Sequence, residues 1–275
     1  TRDVTRSWTS LQASAASAGL IGIDGLTLGG DSLSVEINRA GKAGDAVIDY
    51  GLIDPDDADS GRATALTVAT GPSDSVELTM DGAEGDLLRA SGNLALDAFG
   101  FFQVRGGFAL GQKNASFYLS DGVIVEEGSG ETAQAPTEID ARVLTIGGSG
   151  LEAFAGVNGG TAEAMGFALE AVDFGLALIN EQVAPGATAR QFTTLAADAG
   201  RVGFVGLDGL SVSAEQLQVE INRGVAGEAG AADVVIDHSF RQLEVLAGAG
   251  TTVTLDSDGA LGQLTRASGD LSLNL

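Results

Sequence analysis

Apolar and polar residues alternate along several short stretches of the chain, at Leu33-Val35-Ile37, Val76-Leu78-Met80, Leu94-Leu96 and Leu217-Val219-Ile221. A period of two sends successive side chains to opposite faces of an extended backbone, so these stretches are predicted to be half-buried strands. Asp121-Gly122 stands between the apolar stretches Phe117 to Ser120 and Val123 to Val125, and its capacity for positive φ predicts a hairpin there. Apolar positions also recur about every 20 residues, at Leu28, Ile48, Val68, Leu88 and Phe108, which suits one solenoid coil or one two-strand hairpin of an extended sheet. Helix candidates are restricted to an Ala-rich stretch from Leu11 to Ala18 and a run from Thr161 to Leu169. Both are short for a helix. The predicted class is therefore all-β, elongated and repetitive, either a β-solenoid or an extended antiparallel sheet, with few or no helices.

The chain also repeats on a longer scale. The run from Asp24 to Arg39 returns from Asp208 to Arg223 with 9 of 16 positions identical. Trp8 to Leu11 answers Phe192 to Leu195, Val47 to Asp49 answers Val235 to Asp237, and Asp86 to Leu96 answers Gln263 to Leu273. Between Asp49 and Leu66 the first copy is 11 residues longer than the second, and the extra segment holds the acidic run Asp54 to Gly61, which predicts an inserted loop. A first complete unit is read over residues 1–184 and the first half of a second over 185–275. Self-similarity on this scale is the signature of tandem units that bury surface against their neighbours, so the chain reads as part of a longer array.

Composition narrows the functional classes. Asp and Glu number 38 against 14 Lys and Arg, a net charge of −24. A chain of that sign repels nucleic-acid phosphates and anionic membrane surfaces and attracts divalent cations. There are 275 residues, enough to bury a core, and no Cys, which removes disulfides, thiolate metal sites and Cys nucleophiles. The apolar stretch from Met165 to Ile179 carries Glu170 and Asp173 and is too short to span a bilayer, so no membrane span is expected. The N-terminus lacks an apolar signal region, which places any export signal outside this chain.

Few residues suggest chemistry. Asp54, Asp56, Asp57 and Asp59, followed by Gly61, offer carboxylates at the near-alternate spacing with which calcium loops surround one ion, and they are the candidate metal ligands. Asp81, Glu84 and Asp86, with Asp256 and Asp258 near the matching positions, read as turn residues. Gly19, Gly22 and Gly25, echoed at Gly200, Gly203, Gly206 and Gly209, lack the order of a dinucleotide loop and are read as sites of close strand packing. Asn38 and Asn222 are expected to cap turns through their own backbone, and Arg89 and Arg266 to pair with neighbouring carboxylates. The one histidine, His238, is matched by Tyr50 in the first copy, which removes a repeated Ser-His-Asp triad. No enzyme is expected. The triplet Asn114-Ala115-Ser116 fits a glycosylation acceptor but carries no weight.

Three longer segments, GIDGLTLGGDSLSVEINRA from Gly22, LLRASGNLALDAFGFFQVRGGFAL from Leu87 and MGFALEAVDFGLALI from Met165, resemble repeat units of giant bacterial surface proteins. Those proteins are similar to large adhesins accompanied by calcium-binding RTX-type or cadherin-like modules, and the resemblance covers almost the whole chain. It implies secretion to the extracellular bacterial surface and an adhesive or envelope role, with neighbouring repeats and surface or matrix components as partners. It carries no catalytic residues, and the chain departs from RTX modules in lacking a G-G-x-G-x-D run. The leading expectation is a structural, adhesive repeat acting as a rigid extender. Two others are an apolar-groove lipid carrier, marked by an exposed apolar strip continuous across both copies, and a carbohydrate-active β-helix using paired Asp.

Overall fold

Long strands make up most of the chain. The computed structural model describes residues 6–42, 44–51, 65–122, 134–207, 209, 211–225 and 234–274. Its strands are β1 (Trp8–Gly19), β2 (Leu26–Ala40), β3 (Leu66–Ala69), β4 (Ser75–Leu78), β5 (Leu87–Ala98), β6 (Phe102–Tyr118), β7 (Glu138–Val157), β8 (Met165–Glu181), β9 (Gln191–Val205), β10 (Ser211–Val225), β11 (Leu243–Gly248), β12 (Thr251–Leu255) and β13 (Leu264–Asn274). Nine of them form one sheet in the order β1-β2-β5-β6-β7-β8-β9-β10-β13, while β3-β4 and β11-β12 are separate hairpins. Two 3₁₀ turns, Gly82–Glu84 and Gly259–Leu261, are the helical elements among the described residues.

All four alternating stretches lie in or beside strands, β2, β4, β5 and β10, and the chain is all-β as expected. The β-solenoid alternative does not hold, because the strand pairings of the described residues are antiparallel and the sheet is open. Short returns such as residues 99–101 fold each strand back on its predecessor, whereas parallel coils need longer crossovers. Neither helix candidate is helical. Leu11 to Ala18 lies in β1, and Thr161 to Leu169 divides between a turn and the start of β8, because ladder pairing with long neighbours outweighs a helix of two turns. Of the Asp121-Gly122 hairpin only the first arm is described, and it is paired elsewhere: Phe117 with Ile139, Tyr118 with Glu138 and Leu119 with Ile236. Val123 to Val125 lie outside the described residues. The 20-residue spacing marks no single element, since Leu28, Val68, Leu88 and Phe108 fall on β2, β3, β5 and β6 and Ile48 on none.

The two sequence copies fold into matching strands: β1 with β9, β2 with β10, β3-β4 with β11-β12, and β5 with β13. In the second copy the β11-β12 hairpin lies flat across β6, β7 and β8, and Leu243, Val245 and Leu255 meet Phe117, Ile139, Ala141, Val143, Ala177, Ile179 and Phe192 in the main buried cluster. Each such Leu, Ile, Val or Phe side chain removed from water stabilises the fold by roughly 1.5 to 3 kcal/mol. Glycines bring the two layers together. A Cβ on Gly147 would stand 2.2 Å from the Leu246 carbonyl oxygen, and one on the facing Gly175 would meet Val245 and Val253 at about 3.2 Å.

A line of irregularities crosses the middle of the sheet. Register shifts between Asp31 and Ser34, Arg105 and Gly107, Gly148 and Leu151, and Glu215 and Gln218. Ser32 (φ 53°), Gly150 (φ 56°), Ala171 (φ 52°) and Gln216 (φ 51°) take left-handed backbone there, and Ser32 and Gln216 are matching positions of the two copies. An extra residue in one strand bends it and sharpens its twist. The hairpin-covered half of the sheet thus meets a second half on which, among the described residues, no element is stacked.

Candidate functional site

The hairpin segment is fastened to the sheet by one set of hydrogen bonds used in both copies. Asn38 Nδ2 donates to the Ile48 carbonyl at 2.6 Å, and Asn222 Nδ2 to the Ile236 carbonyl at 2.7 Å. Asp49 Oδ1 accepts from the Gly82 amide at 3.1 Å, and Asp237 Oδ1 from the Gly259 amide at 3.2 Å. The Tyr50 amide donates to Met80, and the His238 amide to Ser257. These asparagines therefore tie a segment many residues away to the sheet rather than capping their own turn. Arg89 meets Glu36 and Arg266 meets Glu220, as expected for lone arginines in an acidic chain.

His238 is fully buried, with Nε2 3.2 Å from Thr194 Oγ1 and its ring edge-on to Phe117. Burial pushes its imidazole down to about 4. Neutral and enclosed, it acts as a packing residue and not as a surface base. At the end of β8, Glu181 accepts from the Arg190 guanidinium at 2.7 Å, which holds its carboxyl below the ordinary range.

The candidate metal ligands Asp54, Asp56, Asp57 and Asp59 lie outside the described residues. Among the described residues no three His, Asp or Glu side chains come together as a metal site. Asp81 and Asp258 are turn residues as expected, each accepting from the amide two positions on, Ala83 and Ala260, at 2.8 and 2.9 Å. Asp86 Oδ1 accepts from the Ala40 amide. The glycine reading is corrected in part: Gly22, Gly25, Gly206 and Gly209 have φ between 79° and 95° and form the β1-β2 and β9-β10 returns. Packing is also tight at Gly206, where a Cβ would stand 2.2 Å from the Ala164 carbonyl, and at Gly25, where it would stand 2.5 Å from the Phe99 ring. Asn114 lies within β6, its side chain accepting from Gln182.

The most extensive feature is the face turned away from the hairpin. Leu28, Leu96, Val104, Ala153, Leu169, Val202, Ala214 and Leu271 stand directly opposite one another from β2 to β13. In the other half the row Ala13, Val35, Ala90, Leu110, Ile146, Leu176, Leu195 and Ile221 runs from β1 to β10. Together they make an apolar face shared by both copies. It is uncovered among the described residues: Leu28, Leu94, Leu110, Phe167, Leu271 and Leu273 are exposed. Near the crease, Leu33, Val35, Leu94, Phe108, Leu110 and Ile146 line an open groove of about 370 Å³. The reverse face of the outer half carries Arg105, Glu152, Glu170, Arg201, Glu215 and Asp270, so that half is one strand thick and two-sided. Sequence reasoning marked only pieces of this face, because the rows assemble through register between strands far apart in the chain.

Compared with family models, with curated proteins and with solved structures, the chain matches none.

Proposed function

We propose that the chain is a structural, adhesive repeat segment of a large secreted bacterial surface protein, acting as a rigid extender and not as an enzyme. The observation that carries this reading is the joining of the two copies: β8 pairs with β9 as closely as strands within one copy pair with each other, and the second hairpin is seated on strands of the first copy. Each added unit thereby lengthens one sheet, and burial across the junction resists bending. Acidity of −24 keeps such an extended, apolar-faced sheet dispersed in water. Its partners are neighbouring repeats and, at the array's ends, surface or matrix components.

Small-angle scattering on a protein of several units tests the extender. The expected profile is that of a rod whose length grows in proportion to the number of units. A globular profile would overturn it.

The apolar face supports a second reading, a trough for lipid acyl chains, since the strip runs across both copies and narrows to a groove beside Phe108. An acyl-binding sheet retains a fluorescent fatty acid through gel filtration and loses it on Leu110→Glu, which sets a charge in that groove. Failure to retain the probe would end that reading.

A further inference from the structure

We propose that the outer edge of β1 together with the underside of the β3-β4 hairpin is a docking surface for another repeat unit, one that presents a free β8-type strand and the β6-β7-β8 platform beside it. The inference rests on the extender reading and adds where, and through which residues, units join.

Matching positions in the two copies differ sharply in burial. Leu66 and Val68 of β3 are 49% and 41% exposed, whereas Leu243 and Val245 of β11 are 7% and 0% exposed. Trp8 on β1 is 41% exposed against 3% for its counterpart Phe192, and Val47 and Ile48 are half-buried where Val235 and Ile236 are sealed. The local structure is the same in both copies. Leu66 pairs with Leu78 as Leu243 pairs with Leu255, and the Asn38 and Asn222 bonds coincide. What differs is the platform. The second hairpin reaches from β9 over β8, β7 and β6, while the first touches β1 through β4 and projects past the end of the sheet.

The second junction specifies the occupant. β8 meets β9 with Ile179 opposite Phe192 and Leu176 opposite Leu195, so a docked strand sets its equivalents of these opposite Trp8 and Leu11. Under the hairpin it must supply glycines at the places of Gly147 and Gly175, because side chains there would collide with hairpin backbone and valines. A second copy of this chain cannot serve in this way, since its own β8 is already paired on both sides. An unpaired long edge is otherwise a site of uncontrolled strand addition, and a preceding unit that covers it removes that hazard.

Trp8 is the only tryptophan, which makes it the reporter. In a tandem protein carrying residues 1–184 ahead of the full chain, with Trp8→Phe in the leading copy, the remaining indole is expected to shift its emission to the blue. Its acrylamide quenching constant should fall at least threefold relative to the single chain, and the amides of its β3-β4 hairpin should gain protection from exchange. An indole as exposed as in the single chain, with an unprotected hairpin, would overturn the proposal. So would indole burial in the single chain at high concentration, because the surface would then accept a second copy. Scattering on the same tandem protein separates the two readings: a rod with an exposed indole defeats the docking surface alone, and a compact particle defeats the extender.

Discussion

At the scale of single residues, the buried His238 links folding to pH. Its imidazole takes a proton near pH 4 in the folded chain and near 6.5 when unfolded. Because the folded value is depressed, its neutral form is accommodated at no cost above about pH 6.5, and stability is lost as pH falls from there towards 4, by about 3 kcal/mol at most. Asp237 and Asp256 nearby pull the value upwards and limit the loss. Glu181, held low by Arg190, adds a loss of the same direction at more acidic pH. Urea unfolding of His238→Gln, measured between pH 4 and 7, should show a flatter profile than the parent while keeping the Glu181 component. Parallel profiles would show that His238 does not titrate on unfolding. Sequence alone marked His238 as solitary, but its burial depends on Phe117 and Thr194, more than forty positions away.

At the scale of elements, the hairpin and its platform form the core. Gly147→Val places a branched side chain where the Leu246 carbonyl lies 2.2 Å from the Cβ position. The expected result is a loss of about 2 kcal/mol or more, with faster amide exchange in β11-β12 while β1-β2 is unchanged. Gly29→Val, whose nearest neighbour is 3.9 Å away, is the matched control and should cost far less. Equal effects would show that hairpin seating does not depend on that glycine. The alternating pattern made β2, β4, β5 and β10 legible, but not this hairpin or its platform. The helical reading of β1 and β8 failed because short Ala-rich segments have no intrinsic preference strong enough to resist pairing with long neighbours.

At the scale of the molecule, calcium is the proposed ligand of a chain of this charge. With Asp54, Asp56, Asp57 and Asp59 proposed to hold calcium, a ligand that binds only the folded chain raises its melting temperature. At a hundredfold excess over Kd the gain is about 2.7 kcal/mol, or several degrees for a chain of this size. Excess chelator should reverse it, and the paired change Asp54→Asn with Asp56→Asn should remove it. A melting curve indifferent to both calcium and chelator would leave these carboxylates as a solvating surface.

By itself the sequence determined the strand-rich class, the two copies and their matching segments, the extra acidic segment of the first copy and the charge, because each is written in local period or in direct repetition. The tertiary structure decided that the sheet is open and not a solenoid, that glycines of β7 and β8 admit a second layer, and that one apolar face crosses both copies. It also decided that Leu66 and Val68 stand uncovered where Leu243 and Val245 are sealed. The physical reason is that alternation states only that a strand has two faces. Which face is covered depends on register, on a line of bulges and on what lies beside the strand, and those are properties of neighbours far away in the chain.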